Sequence, residues 1–193
     1  MSNSNEDRVY QKDALEFVTV AAEFCNLLET LDGYGRKRFI ITMQKLLSLL
    51  YLKALQLEEV EAIFDSPVEK FLTEEEWIAV KTKVSIRLGP FDSFVYVNEA
   101  LTQLEEEEIN VALSECFADI YQDLSDFVQL YRNGSVEIMN DALWECRQNF
   151  HLYWGTRLIS IMQAFHGILF SGKDIDSEEL GDADYSNTNP YIW

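Results

Sequence analysis

An all-α, single-domain helical bundle of about five to six helices, with its second helix buried at the centre, is what the chain predicts, and three features predict it. Only three prolines and eight glycines interrupt 193 residues. Of these residues 48% are hydrophobic, and that content at this length suffices to bury one sizeable core. Leu, Ala, Glu, Gln and Met fill the intervals between the breaks, where apolar residues recur at helical period. The bundle is expected over residues 13–171, after a polar, disordered stretch over 1–12 and before an acidic tail over 172–193.

The first helix is expected from about Asp13 to Leu31, opened by a capping box of Asp13 and Glu16 and stopped at Asp32-Gly33. Phe17, Ala21, Phe24, Leu28 and Leu31 make its buried stripe. The second, about Arg36 to Leu57, is apolar on nearly every side (Phe39, Ile40, Met43, Leu46, Leu49, Leu52, Leu55), which calls for a central position. Gln44, Lys45 and Lys53 within it argue against a membrane span. Thr73 and Glu76 form a capping box for a third helix, which Gly89-Pro90 ends. Phe91 to Leu104 has no helical stripe and is assigned as irregular, although Phe94 to Val97 suits an extended chain. Glu105 to Glu108 then open a fourth helix that Arg132-Asn133-Gly134 stops. From Val136 to Phe170 one stripe continues for about 50 Å, so Gly155 is expected at a kink or a break.

Thirty-four acidic against fifteen basic residues give a formal charge of −19. That charge opposes approach to nucleic-acid phosphates and to anionic membranes, and favours a basic protein partner. The stretch Met1 to Asp13 has no apolar core of a secretory signal, and Cys25, Cys116 and Cys146 suggest buried apolar residues of a reducing compartment. A cytoplasmic location is therefore expected. No metal or cofactor is expected either. In place of Glu-x-x-His pairs the chain has Gln148-x-x-His151 and Gln163-x-x-His166, about 22 Å apart on one straight helix. Gly33 to Lys37 lacks the spacing of a phosphate-binding loop. Arg36, Lys37 and Arg38 at a helix start are expected to face the chain's own acidic stretches.

Between Leu88 and Tyr131 lie ten acids and no lysine or arginine. Helical phase turns Glu115, Asp119 and Asp126 away from the apolar face of the fourth helix, as a solvated acidic surface, with Asp123 at the edge of the stripe. On the last helix Arg147 and Arg157 fall inside the apolar stripe beside Phe150 and Trp154, where a guanidinium needs a partner. Two arrangements supply one. Either Asp119 or Asp123 pairs with an arginine that stacks on Trp154, or Arg147, Arg157, His151 and Lys53 line a pocket for a phosphate or carboxylate.

Leu15 to Glu29, Leu46 to Leu57, Ala118 to Leu124, Ala142 to Gly155 and Ala164 to Leu169 together resemble an uncharacterised bacterial family that carries only a domain-of-unknown-function label, DUF5063. The resemblance spans roughly Asp13 to Phe170 and implies a small helical protein with no assigned activity, substrate or cofactor. Its pattern covers Glu23, Cys25, Glu29, Tyr51, Lys53, Asp119, Tyr121, Asp123, Trp144, Arg147, Phe150, Trp154, Gly155 and His166. Where members of the family carry a histidine before the Trp-Gly pair, this chain has Tyr153. The functional expectation is a non-enzymatic interaction module whose acidic face binds a basic protein, with the anion pocket as the alternative.

Overall fold

The computed structural model describes residues 8–97 and 108–176, with side chains over 8–93 and 112–176. Among the described residues six α-helices pack into one bundle: α1 (Lys12–Glu29), α2 (Arg36–Gln56), α3 (Glu74–Leu88), α4 (Leu113–Asn133), α5 (Val136–Asn149) and α6 (Gly155–Phe170). A π-helical turn, Phe150–Trp154, joins α5 to α6. A two-stranded antiparallel hairpin, β1 (Ser93–Val97) and β2 (Glu108–Ala112), separates α3 from α4, with Tyr96 opposite Ile109. The fold is all-α apart from this hairpin.

The central helix is α4, not the second helix. Phe117, Ile120, Leu124 and Phe127 are buried on it, and so are the polar residues Ser114, Ser125 and Asp126. An aromatic seam radiates from it: Phe117 meets Phe24 at 6.2 Å, Phe39 at 5.7 Å and Phe165 at 5.8 Å, and Phe127 meets Phe17 at 5.2 Å. Each fully buried ring contributes about 1.5–3 kcal/mol of burial. Helix α2 instead lies at the side, packed on α1 and α6, and leaves Leu49, Leu52 and Leu55 exposed. Helix α4 tolerates enclosure because its polar groups find partners on the elements that surround it.

The helix ends show local and tertiary control in turn. The capping box at α3 forms as its sequence suggests: Glu76 N–H donates to Thr73 Oγ1 at 3.2 Å, and Thr73 N–H to Glu76 Oε2 at 2.8 Å. The box expected at Asp13 does not form. Helix α1 starts after Gln11 without a side-chain cap, so Asp13 lies inside its first turn, and Glu16 meets Lys53 instead. Helix α4 begins at Leu113 rather than near Glu105, since Glu108–Ala112 pairs with β1 as a strand. Asp92 then caps α4, accepting from Ser114 N–H at 2.7 Å and Ser114 Oγ at 2.8 Å.

Val9 and Ile175, outside the limits drawn from composition, are also buried against the core, Val9 beside the last turn of α4 and Ile175 beside the start of α2. Arg36 donates to the Ile175 carbonyl at 3.2 Å, and Lys37 N–H donates to Asp176 Oδ1 at 3.2 Å. The basic turn thus faces the start of the acidic tail, and the free N–H groups of α2 receive a carboxylate. Among the described residues, no helix is long and apolar enough to cross a membrane.

Candidate functional site

The acids of the segment between Leu88 and Tyr131 are segregated in sequence, but those whose side chains are described are not segregated in space. The side chains of Glu99 and Glu105 to Glu108 lie outside those described. All five of the others have internal partners: Asp92 caps α4, Glu115 meets Lys81 at 3.3 Å, Asp119 meets Arg157 at 2.6 Å, Asp123 accepts from Asn149 at 2.9 Å, and Asp126 takes backbone N–H groups. Asp126 is 1% exposed, so it corrects the reading of Glu115, Asp119 and Asp126 as one solvated ridge. Only Glu115 stands out in solvent.

Residues 57–73 explain why carboxylates are buried here. This long connection carries no helix or strand, yet it lies across α4 and α5, and its backbone needs acceptors. Asp141 accepts from Ile63 N–H at 2.7 Å and Phe64 N–H at 2.8 Å. Asp126 accepts from Phe71 N–H at 2.8 Å and Leu72 N–H at 3.0 Å, and Glu145 binds Lys70. Asn140 donates to the Glu61 carbonyl at 2.8 Å. Two carboxylate oxygens, Asp123 Oδ2 and Asp126 Oδ2, are left without a partner. Both residues line a cavity of about 10 Å³ with Lys70, Glu145 and Asn149. Burial pushes the Asp123 carboxyl up to about 6, against the pull of the Asn149 hydrogen bond and the Lys70 charge.

One turn before Asp123 on α4, two of the residues singled out from the sequence come together. Arg157, from the first turn of α6, donates from Nε to Asp119 Oδ2 at 2.6 Å, while Trp77 of α3 donates from Nε1 to Asp119 Oδ1 at 3.1 Å. The guanidinium lies 3.6 Å from the ring centroid of Tyr153. Burial and the neighbouring Asp119 hold the Tyr153 phenol above its ordinary value. Asp119, Tyr153 and Arg157 border a cleft of about 530 Å³ together with Cys116, Thr156 and Ser160.

The π turn produces this arrangement. It inserts one wide turn into a rod that would otherwise keep α-helical phase, and such turns recur at functional sites. Trp154 consequently points inward, fully buried, and donates to the Cys146 carbonyl at 3.2 Å. Tyr153 takes the stacking position beneath Arg157 that regular phase assigned to Trp154. Gly155 is required at the end of the turn, because a Cβ there would collide with the Phe150 carbonyl and come within 3.0 Å of its ring.

The remaining cations do not join this cleft. Lys53 bonds Glu16 at 2.6 Å and Gln56 at 2.7 Å on the α1–α2 side, Arg147 reaches Glu59 at 3.6 Å, and His151 is exposed beside the Phe150 ring. The four-residue anion pocket of Lys53, Arg147, His151 and Arg157 is therefore not assembled. Lys53, Arg147 and Arg157 each pair with a carboxylate of their own neighbourhood. Trp77 and Tyr153 are the residues that sequence reasoning missed. The visible signal for Trp77 was a lone indole in the charged start of α3.

A groove of about 870 Å³ lies between α1 and α4, closed at one end by the start of α5. Glu23, Asn26 and Glu29 line it from α1, and Ser125, Gln129 and Arg132 from α4. Glu29 accepts from Tyr121 Oη at 2.9 Å. Cys25 forms part of the wall, with its thiol raised by burial. Cys116 is pushed up to about 11 by burial, and Cys146 is raised well above the ordinary thiol range for the same reason. Such thiols stay protonated and behave as small apolar groups. Among the described residues, no three His, Cys, Asp or Glu side chains converge as metal ligands.

Comparison with known proteins places this geometry in context. A family model, Domain of unknown function (DUF5063), matches residues 8–171. The chain is also similar to the crystal structure of protein BF1032 from Bacteroides fragilis, with a TM-score of 0.76 and 39% sequence identity. That match covers 86% of this chain and 97% of the other. No curated protein matches the chain.

Proposed function

The chain belongs to the DUF5063 family, a domain of unknown function, and on that footing we propose that it is a non-enzymatic helical module whose groove between α1 and α4 takes a basic segment of a protein partner. The observation that carries this reading is the groove itself. It encloses about 870 Å³, and Glu23 and Glu29 face it together with the amide side chains of Asn26 and Gln129. Carboxylates and amide oxygens accept from lysine and arginine, and a formal charge of −19 steers cations toward the molecule from a distance. Acids elsewhere on α4 are engaged internally, so the groove replaces the α4 ridge as the surface offered to a partner.

Charge neutralisation by position tests the proposal. A Lys/Arg-rich peptide titrated into the wild-type protein should bind, and binding should weaken steeply with added salt. The E23Q/E29Q variant should lose most of that affinity. E74Q/E75Q removes the same charge from the exposed start of α3 and should bind almost as the wild type does. Equal losses in the two variants would mean that only net charge matters and would refute a groove-specific site.

A further inference from the structure

We propose that the cleft between α4 and α6 is a second, separate binding site, and that its ligand is a small zwitterion carrying one carboxylate and one ammonium group, as a free amino acid does. The argument starts from Arg157. Its Nε is committed to Asp119 at 2.6 Å, its plane is laid on Tyr153 at 3.6 Å, and Asp119 is itself fixed by the Trp77 indole at 3.1 Å. A guanidinium held on two sides has little rotamer freedom left to lose on binding. Its two terminal nitrogens take no acceptor among the described residues, and its side chain is 32% exposed on the wall of the cleft. A planar fork of this kind matches a carboxylate with two parallel hydrogen bonds.

The same cleft holds an opposite charge. Glu115 lies one helical turn before Asp119 on α4, lines the cleft, and has a half-exposed side chain whose partner is Lys81 at 3.3 Å, at the surface. An exposed pair of that kind exchanges readily for a better-placed cation. The Asp119–Arg157 pair is close to neutral as a unit, so what it offers a ligand is the two terminal guanidinium nitrogens as donors, while Glu115 offers a carboxylate. A simple anion would meet Glu115 and the negative field of the whole molecule, and a simple cation would meet Arg157. A zwitterion satisfies both. The volume, about 530 Å³, lies in the range of small-ligand pockets, and the hydroxyls of Thr156 and Ser160 supply acceptors along the wall.

The test is a thermal-shift and calorimetric titration of the full chain against the common L-α-amino acids, each beside its N-acetyl and carboxamide derivatives, with acetate and inorganic phosphate as further probes. At least one amino acid should raise the melting temperature, and neither of its derivatives should. R157Q should abolish the effect, R157K should weaken binding by about tenfold or more through loss of the fork, and E115Q should weaken it while leaving the fold intact. If R157Q unfolds, R157K still reads the site, because the charge beside Asp119 is kept. The proposal is overturned if no amino acid shifts the wild type, if acetate or phosphate binds as well as the amino acid, or if binding survives unchanged in R157K and E115Q.

Discussion

Replacing Asp123 with asparagine should make the protein more stable at neutral pH, although it alters a buried, hydrogen-bonded residue. Asp123 accepts one hydrogen bond, from Asn149 at 2.9 Å, and its second oxygen has no partner. Burial pushes the carboxyl up to about 6 from 3.8. The unfolded chain therefore releases this proton near 3.8 and the folded chain holds it until about pH 6. In that window the folded state binds more protons, so the contribution of Asp123 to stability falls as pH rises, and the penalty is complete above pH 6. Its size is about 3 kcal/mol. Asparagine keeps the acceptor for Asn149 and carries no charge. Its amide also points a donor into the cavity where the unpartnered Asp126 Oδ2 lies. For a domain of this length, the gain corresponds to about 6–12 °C in melting temperature at pH 8. Near pH 5, still above the isoelectric point of about 4.3, about half of the gain should remain. Denaturant midpoints of wild type and D123N at the two pH values measure it. A variant that is less stable at pH 8, or a difference that does not change with pH, would refute the reasoning.

Asp126, one turn further along α4, should respond in the opposite sense. D126A strands the N–H groups of Phe71 and Leu72 and should cost about 2–4 kcal/mol, with new protease cleavage confined to residues 57–73. G155A should destabilise by about 2–4 kcal/mol, because the π turn leaves no space for a Cβ beside Phe150; far-UV circular dichroism should be nearly unchanged below the transition. T73A removes the α3 cap and should lower stability by about 1 kcal/mol, read as a parallel shift of the urea midpoint with an unaltered slope.

What could be read from the sequence divides by range. Thr73 and Glu76 cap α3 because both partners lie within one turn, and Arg132 to Gly134 end α4 for equally local reasons. The stripe of Phe17, Phe24 and Leu28 was legible in the same way. Asp126 was not, because the N–H groups it serves lie 54 and 55 positions earlier in a connection without regular structure. Helical phase sent it to solvent, whereas residues 57–73 closed over it. The exchange of roles between α2 and α4 has a related cause. All-round apolarity measures how much a helix wishes to bury, and the packing decides which helix can have its polar groups satisfied while enclosed.

At the candidate site, Asp119 and Arg157 were visible as a charge pair, and Lys53, Arg147 and His151 were grouped with them only by helix-surface reasoning. The π turn broke that reasoning, since one wide turn at Phe150–Trp154 moves every later side chain around the rod. Tyr153 came under Arg157 and Trp154 went into the core. Gly155 was read correctly as the point of irregularity, and the kind of irregularity was set by the fit of Phe150 and Trp154, 4.7 Å apart between ring centroids.

The central functional claim, that the α1–α4 groove and not a ridge on α4 receives a basic partner, is tested most directly by mapping backbone amide chemical shifts of the labelled protein during titration with a Lys/Arg-rich peptide. The account predicts perturbations that concentrate on Glu23, Asn26, Glu29, Ser125 and Gln129 and saturate together with one affinity. Perturbations centred on the acidic start of α3, or spread evenly over the surface without saturation, would contradict it.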